Sequence, residues 1–269
     1  MTAEGPVRIQ SAANPLLKEL RRLLRDPGAY RRAGRIWVEG DHLCRAALQR
    51  GVQPSAALFQ ASFWAQAQVD WAESIPRMLL VDDALWPQLS TLESPAPMGF
   101  VIDLPLALPL QAGVPTVVLD RVQDAGNVGS ILRSAAAFGF GQVLALKGTA
   151  ALWAPKVLRA GMGAHFGLRL IEGAAPADVA ALGVPAVATS SHQGEWLHAA
   201  RLPHPCAWLM GHEGQGVGEE LQALAAAHIR IAQPGGEESL NVAAAAAICL
   251  HASASQALLA GGMKRPAGL

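Results

Sequence analysis

The chain has 269 residues, a formal net charge of zero, 51% apolar residues and 16% charged residues. That length allows one large or two modest domains, and that apolar content excludes a disordered chain. The neutral balance conceals an asymmetry: residues 1–50 carry ten Lys and Arg against five Asp and Glu, residues 51–111 carry one against six, and the rest ten against ten. Cys44, Cys206 and Cys249 are far apart with no C-x-x-C, which argues against a disulfide framework or a cysteine zinc site and suits a reducing cytoplasm.

In chain order, MTAEGPVRIQ lacks the apolar core of a signal peptide. NPLLKELRRLLR (14–25) reads as a helix with Asn14 as N-cap and Pro15 at the first helical position. Leu16, Leu17, Leu20, Leu23 and Leu24 fall on one face and Lys18, Arg21, Arg22 and Arg25 on the other. This basic face is either a solvated surface or a phosphate-contacting one that Arg31, Arg32 and Arg35 extend. The short alternating runs RIWVEG, DHLCRAALQRG, SAALF and RMLLVD predict a small α/β domain over residues 1–105. The Pro-rich stretch 94–115 supplies its last strand and then a linker at 106–115.

From residue 116 onward the pattern becomes regular. Strands are expected at TVVLD, QVLALK, FGLRLI, PAVATS, CAWLMG and HIRIA, with helices near 127–138, 153–160, 176–182, 194–200 and 218–227 and a long terminal helix from about 239 to 260. This alternation predicts a mainly parallel sheet covered by helices, one domain over 116–269. The greasiest stretches, VIDLPLALPL and NVAAAAAICLHA, are Pro-broken or Ala-rich, so no membrane span is expected.

Several chemistries are excluded by spacing. Neither G-x-G-x-x-G nor a Walker-type phosphate loop is present, GHEGQG has Gly216 where a zinc hydrolase needs its second His, and no G-x-S-x-G elbow exists. The eight histidines show no ligand spacing, so no metal is expected. What remains is three glycine-bearing strand ends, at 119–141, 209–221 and 231–247, each carrying polar residues a core would not want. Taken singly, Asn127 and Ser239 read as helix caps and Glu213 as a surface carboxylate. Taken together, the three segments point to one shared site.

Together they resemble the SpoU/TrmH family of RNA ribose methyltransferases, of the SPOUT superfamily. The carriers are N-x-x-x-x-x-R (Asn127, Arg133), G-x-E-G-x-G (Gly211, Glu213, Gly214, Gly216) and I-x-x-x-G-x-x-x-S-L-N-V (Ile231, Gly235, Ser239 to Val242), in the family's order. NPLLKELRRLL and WVEG look like the family's small N-terminal RNA-binding domain, similar to certain ribosomal proteins. The resemblance implies a trefoil-knotted methyltransferase domain, a homodimer, and S-adenosyl-methionine bound by Gly211, Ile231 and Leu240. It also implies transfer of a methyl group to a ribose 2′-hydroxyl of structured RNA, rRNA more than tRNA, with the competing reading of a non-catalytic RNA-binding protein. Arg133 is the residue this family places beside that hydroxyl, and Asn127, Glu213, Ser239 and Asn241 orient it and the ribose. A small-molecule methyltransferase fits the basic N-terminus less well. The chain departs from the family's pattern at Ala232, Gln233 and Ala243, on the rim of the cofactor pocket. The target RNA and nucleotide, and whether Arg133 acts as base or as electrostatic stabiliser, are left open.

Overall fold

The computed structural model describes residues 6–71, 75, 77–104, 108–236 and 239–261. The start of the expected linker, and the residues between Gly236 and Ser239 in the third motif, lie outside the described residues. Two compact units form: one from the chain up to Leu106 together with Trp153–Phe166, the other from Ala107–Leu152 with the chain from Gly167 onward. The expected helix near 153–160 therefore belongs to the first unit.

The first unit contains β1 (Val7–Ile9), α1 (Pro15–Arg25), α2 (Ala29–Ala33), β2 (Arg35–Glu39), α3 (Asp41–Gln49), β3 (Ala56–Gln60), α4 (Trp64–Trp71), β4 (Met78–Val81) and β5 (Met98–Asp103). Its sheet runs β1-β4-β3-β5-β2, with β5 antiparallel to both neighbours. Asn14 caps α1 by accepting from the Leu16 and Leu17 N–H groups, and Leu17, Leu20 and Leu23 are buried. The leucine stripe thus packs and the basic stripe is left outward, as amphipathic spacing requires.

The second unit opens with β6 (Thr116–Leu119), α5 (Ala125–Ala137) and β7 (Gln142–Leu146). Helix α6 (Pro155–Gly161), of the first unit, intervenes before β8 (Arg169–Ala174), β9 (Ala186–Thr189), β10 (Glu195–Trp196), β11 (Ala207–Met210), α7 (Glu219–Leu224), β12 (Ala227–Arg230) and α8 (Val242–Leu259). The sheet order is β10-β12-β9-β11-β6-β7-β8, and every described pairing is parallel. Its central strands are continuous apolar runs because parallel strands are buried on both faces. Val118, Leu144, Ala188 and Leu209 form one core with Val179, Leu182 and Leu221. Helices α5 and α8 pack together, and α8 reaches β11, where the Trp208 indole N–H donates to Ser253 Oγ at 2.8 Å.

Two expectations need correction. Residues 194–200 are not helical: Glu195 and Trp196 form the edge strand β10, paired with Ile229 and Arg230. Gly194 has φ +105°, and a Cβ there would lie 2.1 Å from the His228 carbonyl oxygen, so the chain crosses β12 too closely for a helix to start. The Arg230 guanidinium then covers the Trp196 ring at 3.9 Å. The terminal helix is also more apolar than the sequence reading allowed. With 18 residues and a mean hydropathy of 1.6, α8 could cross a membrane by length and composition alone, but here it packs on α5 and β11.

Ser253→Ala tests that packing. It leaves the Trp208 N–H buried without its acceptor, so urea unfolding should show a loss of about 1–3 kcal/mol.

Candidate active site

Strands β6, β11 and β12 are parallel, so the residues that follow them emerge on one edge of the sheet: Asp120, Gly211 and Ile231. After β8 the chain returns to the other side of β6, and β11 lands directly beside it. The crevice outside such a reversal of strand order is where open α/β sheets bind ligands.

The three motifs meet there through side-chain amides. Asp124, not Asn127, caps α5, accepting from the Asn127 N–H at 2.8 Å. Asn127 lies in the first turn, which leaves its carboxamide available. Its Nδ2 donates to Glu213 Oε1 at 3.2 Å and its Oδ1 accepts from Asn241 Nδ2 at 2.9 Å. Asn241, not Ser239, caps α8, accepting from the Ala243 and Ala244 N–H groups at 2.9 and 3.2 Å. The Glu213 carboxylate also accepts from the Gln123 and Asp124 N–H groups at 3.3 and 3.1 Å. Partial burial works against the Glu213 charge. Hydrogen bonds from its own N–H, from Asp124, Asn127 and Gln123 outweigh that burial and hold the carboxyl below its ordinary value.

Gly211 is buried, and a Cβ there would lie 2.1 Å from the backbone of Gly216 and Val217. Only glycine allows the loop to double back this tightly, with His212 and Gly216 exchanging backbone hydrogen bonds at 3.0 and 2.8 Å. Ile231 is half-buried and Leu240 is 39% exposed, which leaves apolar surface for a ligand to cover. Gln233 Oε1 is buried without a hydrogen-bond partner among the described residues. Arg133 and Ser239 are exposed, and the side chain of neither makes a hydrogen bond or ion pair among the described residues. No group of His, Cys, Asp and Glu that could hold a metal occurs among the described residues.

The basic residues of the first unit divide into two sets. Arg21 turns inward, donating to the Leu17 carbonyl at 3.0 Å, to Gln88 at 2.7 Å and to the Ala12 carbonyl. Arg32 pairs with Asp26 at 2.8 Å, Arg35 lies between Asp103 and Glu19 at 3.0 and 3.6 Å, and Arg31 stacks on Tyr30. Lys18, Arg22 and Arg25 are exposed. Lys18, Arg22 and Arg32 line an open groove of about 560 Å³ between α1 and α2, with Glu19 on its wall.

Sequence reasoning missed Asp120, Arg121 and Gln215, which brace the Glu213 loop. The Asp124-x-x-Asn127 spacing was the available sign that the α5 cap lay earlier.

Residues 115–251 match the model of the SpoU rRNA Methylase family. The chain is 30% identical to an uncharacterized tRNA/rRNA methyltransferase of Synechocystis sp., over 92% of its own length and 93% of the relative's. It superposes on the crystal structure of an RNA 2′-O ribose methyltransferase with a TM-score of 0.77 and 30% identity, covering 94% of this chain and 100% of that one. An AdoMet-bound rRNA methyltransferase from Sinorhizobium meliloti gives a TM-score of 0.78 at 26% identity, over 91% and 96% of the two chains. The α/β fold with its mostly parallel sheet is that of an RNA methyltransferase of the SpoU class. The chain belongs to the SpoU rRNA Methylase family.

Because Glu213 is more acidic in the folded chain, its bonds add stability above the ordinary carboxylate pKa of about 4.3, and that contribution fades as pH falls through the lower folded value. A carbon-detected NMR titration should place the Glu213 midpoint below that of other exposed glutamates. In Asn127→Ala the midpoint should move back toward them.

Proposed function

We propose that the protein transfers a methyl group from S-adenosyl-methionine to a ribose 2′-hydroxyl of structured RNA. One observation carries this reading: Asn127, Glu213 and Asn241, 86 and 114 positions apart in sequence, form one hydrogen-bonded network where the family's three motifs converge. The cofactor supplies an electrophilic methyl on a sulfonium, and in-line attack on it depends above all on positioning. Gly211, Ile231 and Leu240 would hold it, with Gln233 offering a further acceptor. The pattern's departure at Gln233 thus adds a polar contact and takes no residue from the network.

The chain's own task is to orient the ribose and receive charge. Arg133 lies six residues after Asn127 on α5, about 1.7 turns, so the two sit roughly 120° apart around the axis. A guanidinium with a pKa above about 12 is a poor base. Arg133 instead stabilises the developing alkoxide and grips the adjacent phosphate as the 2′ proton leaves to solvent. Ser239, exposed beside Leu240, contacts the ribose. Glu213 keeps its charge and anchors Asn127; its lone pairs face donors on its own chain, which makes it an orienting group.

The wider assembly follows the same reading. The first unit serves as the RNA-binding domain, similar to certain ribosomal proteins, and offers phosphate contacts through Lys18, Arg22 and Arg25. Arg32 joins them in the groove, whereas Arg21 supports the helix. A trefoil knot near the 211–217 loop, a homodimer, a cytoplasmic location and a preference for rRNA over tRNA belong to this proposal. The late insertion of β11 between β9 and β6 supports a knotted path.

Transfer of label from radiolabelled S-adenosyl-methionine to purified rRNA or tRNA, at a position that resists alkaline cleavage, tests the reaction. No transfer to either, with intact RNA binding, would favour the non-catalytic alternative. Arg133→Ala should lower the single-turnover rate by about 10²–10³ while cofactor affinity, read by calorimetry, stays near wild type. Replacing Lys18, Arg22 and Arg25 together by Gln should reduce the slope of log affinity against log salt by about 2–3, with cofactor affinity unmoved.

A further inference from the structure

The loop from Gly211 to Gly218 is tied down by two residues to which the reaction assigns no part. Asp120 directly follows β6 and is only 5% exposed. Its carboxylate accepts from Arg121 Nε at 2.8 Å, from Arg121 Nη2 at 3.0 Å and from the Gly218 N–H at 2.8 Å. Arg121 Nη1 extends to Gln215 Oε1 at 3.0 Å, near the top of the same loop. One guanidinium therefore links the loop's C-terminal base, through Asp120, to its tip.

The backbone bears a cost for this arrangement. Arg121 has φ +57°, one of two non-glycine residues with positive φ among the described residues. A long side chain in the left-handed region is disfavoured and persists where surrounding bonds over-determine it. Here the reversed backbone lets a residue reach the carboxylate of its immediate predecessor by two bonds while its third nitrogen faces the loop. The Asp120 hydrogen bonds and charge raise the Arg121 pKa above its ordinary value.

We propose that Asp120 and Arg121 are positioning residues for the cofactor: a strained, charged clamp that sets the 211–218 loop in its binding shape. The proposal rests on the reading of Gly211 as a cofactor contact. With Glu213 fastened to residues 123, 124 and 127 and Gly218 fastened to Asp120, the loop is held on both sides by the segment that leads into α5. The clamp touches neither Asn127 nor Arg133, so it acts on cofactor affinity ahead of the chemical step.

Full-length Arg121→Ala, Arg121→Lys and Gln215→Ala test this by calorimetry with S-adenosyl-methionine, single-turnover methylation at saturating cofactor, and amide exchange over residues 212–217. Arg121→Ala should weaken cofactor binding by about tenfold or more, the scale of losing hydrogen bonds to a charged group. Its single-turnover rate at saturation should stay within a few-fold of wild type, and the loop amides should exchange faster. Gln215→Ala should move the same quantities less, and add little to Arg121→Ala. Lysine keeps the charge beside Asp120 but lacks the fork, so Arg121→Lys should restore melting temperature more fully than cofactor affinity. Lower melting temperature with unchanged affinity and unchanged loop exchange would reduce the pair to a structural ion pair and overturn the proposal. If wild type itself fails to bind S-adenosyl-methionine, the reading of the site is at fault. The exchange data then decide the clamp alone: faster loop exchange in Arg121→Ala supports it, and unchanged exchange overturns it.

Discussion

The site depends on the carboxamide of Asn127. A carboxamide is a donor at one end and an acceptor at the other, and here each end meets a different motif. The direction of the whole chain of bonds is forced. At one extreme, the first N–H groups of α8 can only donate, so Asn241 turns its oxygen to them and its amino group to Asn127. Asn127 must then receive with its oxygen and donate to Glu213, which as a carboxylate can only accept. An aspartate at 127 would set two carboxylates face to face, and a leucine would take one donor from Glu213 and leave the Asn241 amino group without its acceptor.

That junction is possible because a strand-order reversal brings the ends of β6 and β11 side by side. In a sheet wound in one direction, the segments after β6, β11 and β12 would be spread along the edge. Here β11 pairs with β6 in register from Ala207 to Met210, so Asp120 and Gly211 leave the sheet as neighbours. Two helix caps use the same place. Asp124 and Asn241 terminate α5 and α8, which pack on each other, and so the caps hold the first and third motifs at a fixed spacing.

The charge distribution fits a division of labour. The site network is neutral amides around one carboxylate, and Arg133 is an exposed cation further along α5. The basic surface sits on α1, whose leucines anchor it to the first unit's core. Several of its arginines are held by neighbouring carboxylates or carbonyls, so the number of cations in a sequence overstates the number available to a phosphate backbone. Lys18, Arg22 and Arg25 remain outward because their helical spacing sets them opposite the leucines.

The sequence alone determined the strand-helix alternation after residue 116 and the cap of α1, and it pointed to three strand ends that the fold brings together. Those signals are local: two- and 3.6-residue periodicities, glycines at turns, and polar residues at strand ends. It assigned 194–200 to a helix because composition there does not record the close crossing of Gly194 over His228, a contact between segments 34 positions apart. Taken one at a time, Asn127 and Ser239 read as caps because each precedes an apolar run, whereas the caps are Asp124 and Asn241. Only the tertiary structure decided that Asn127 joins Glu213 to Asn241, that Arg21 is spent inside its own unit, and that Asp120 and Arg121 brace the loop. The deciding pairings span tens to more than a hundred residues, and a carboxylate or guanidinium carries no mark in sequence of which distant partner it will meet.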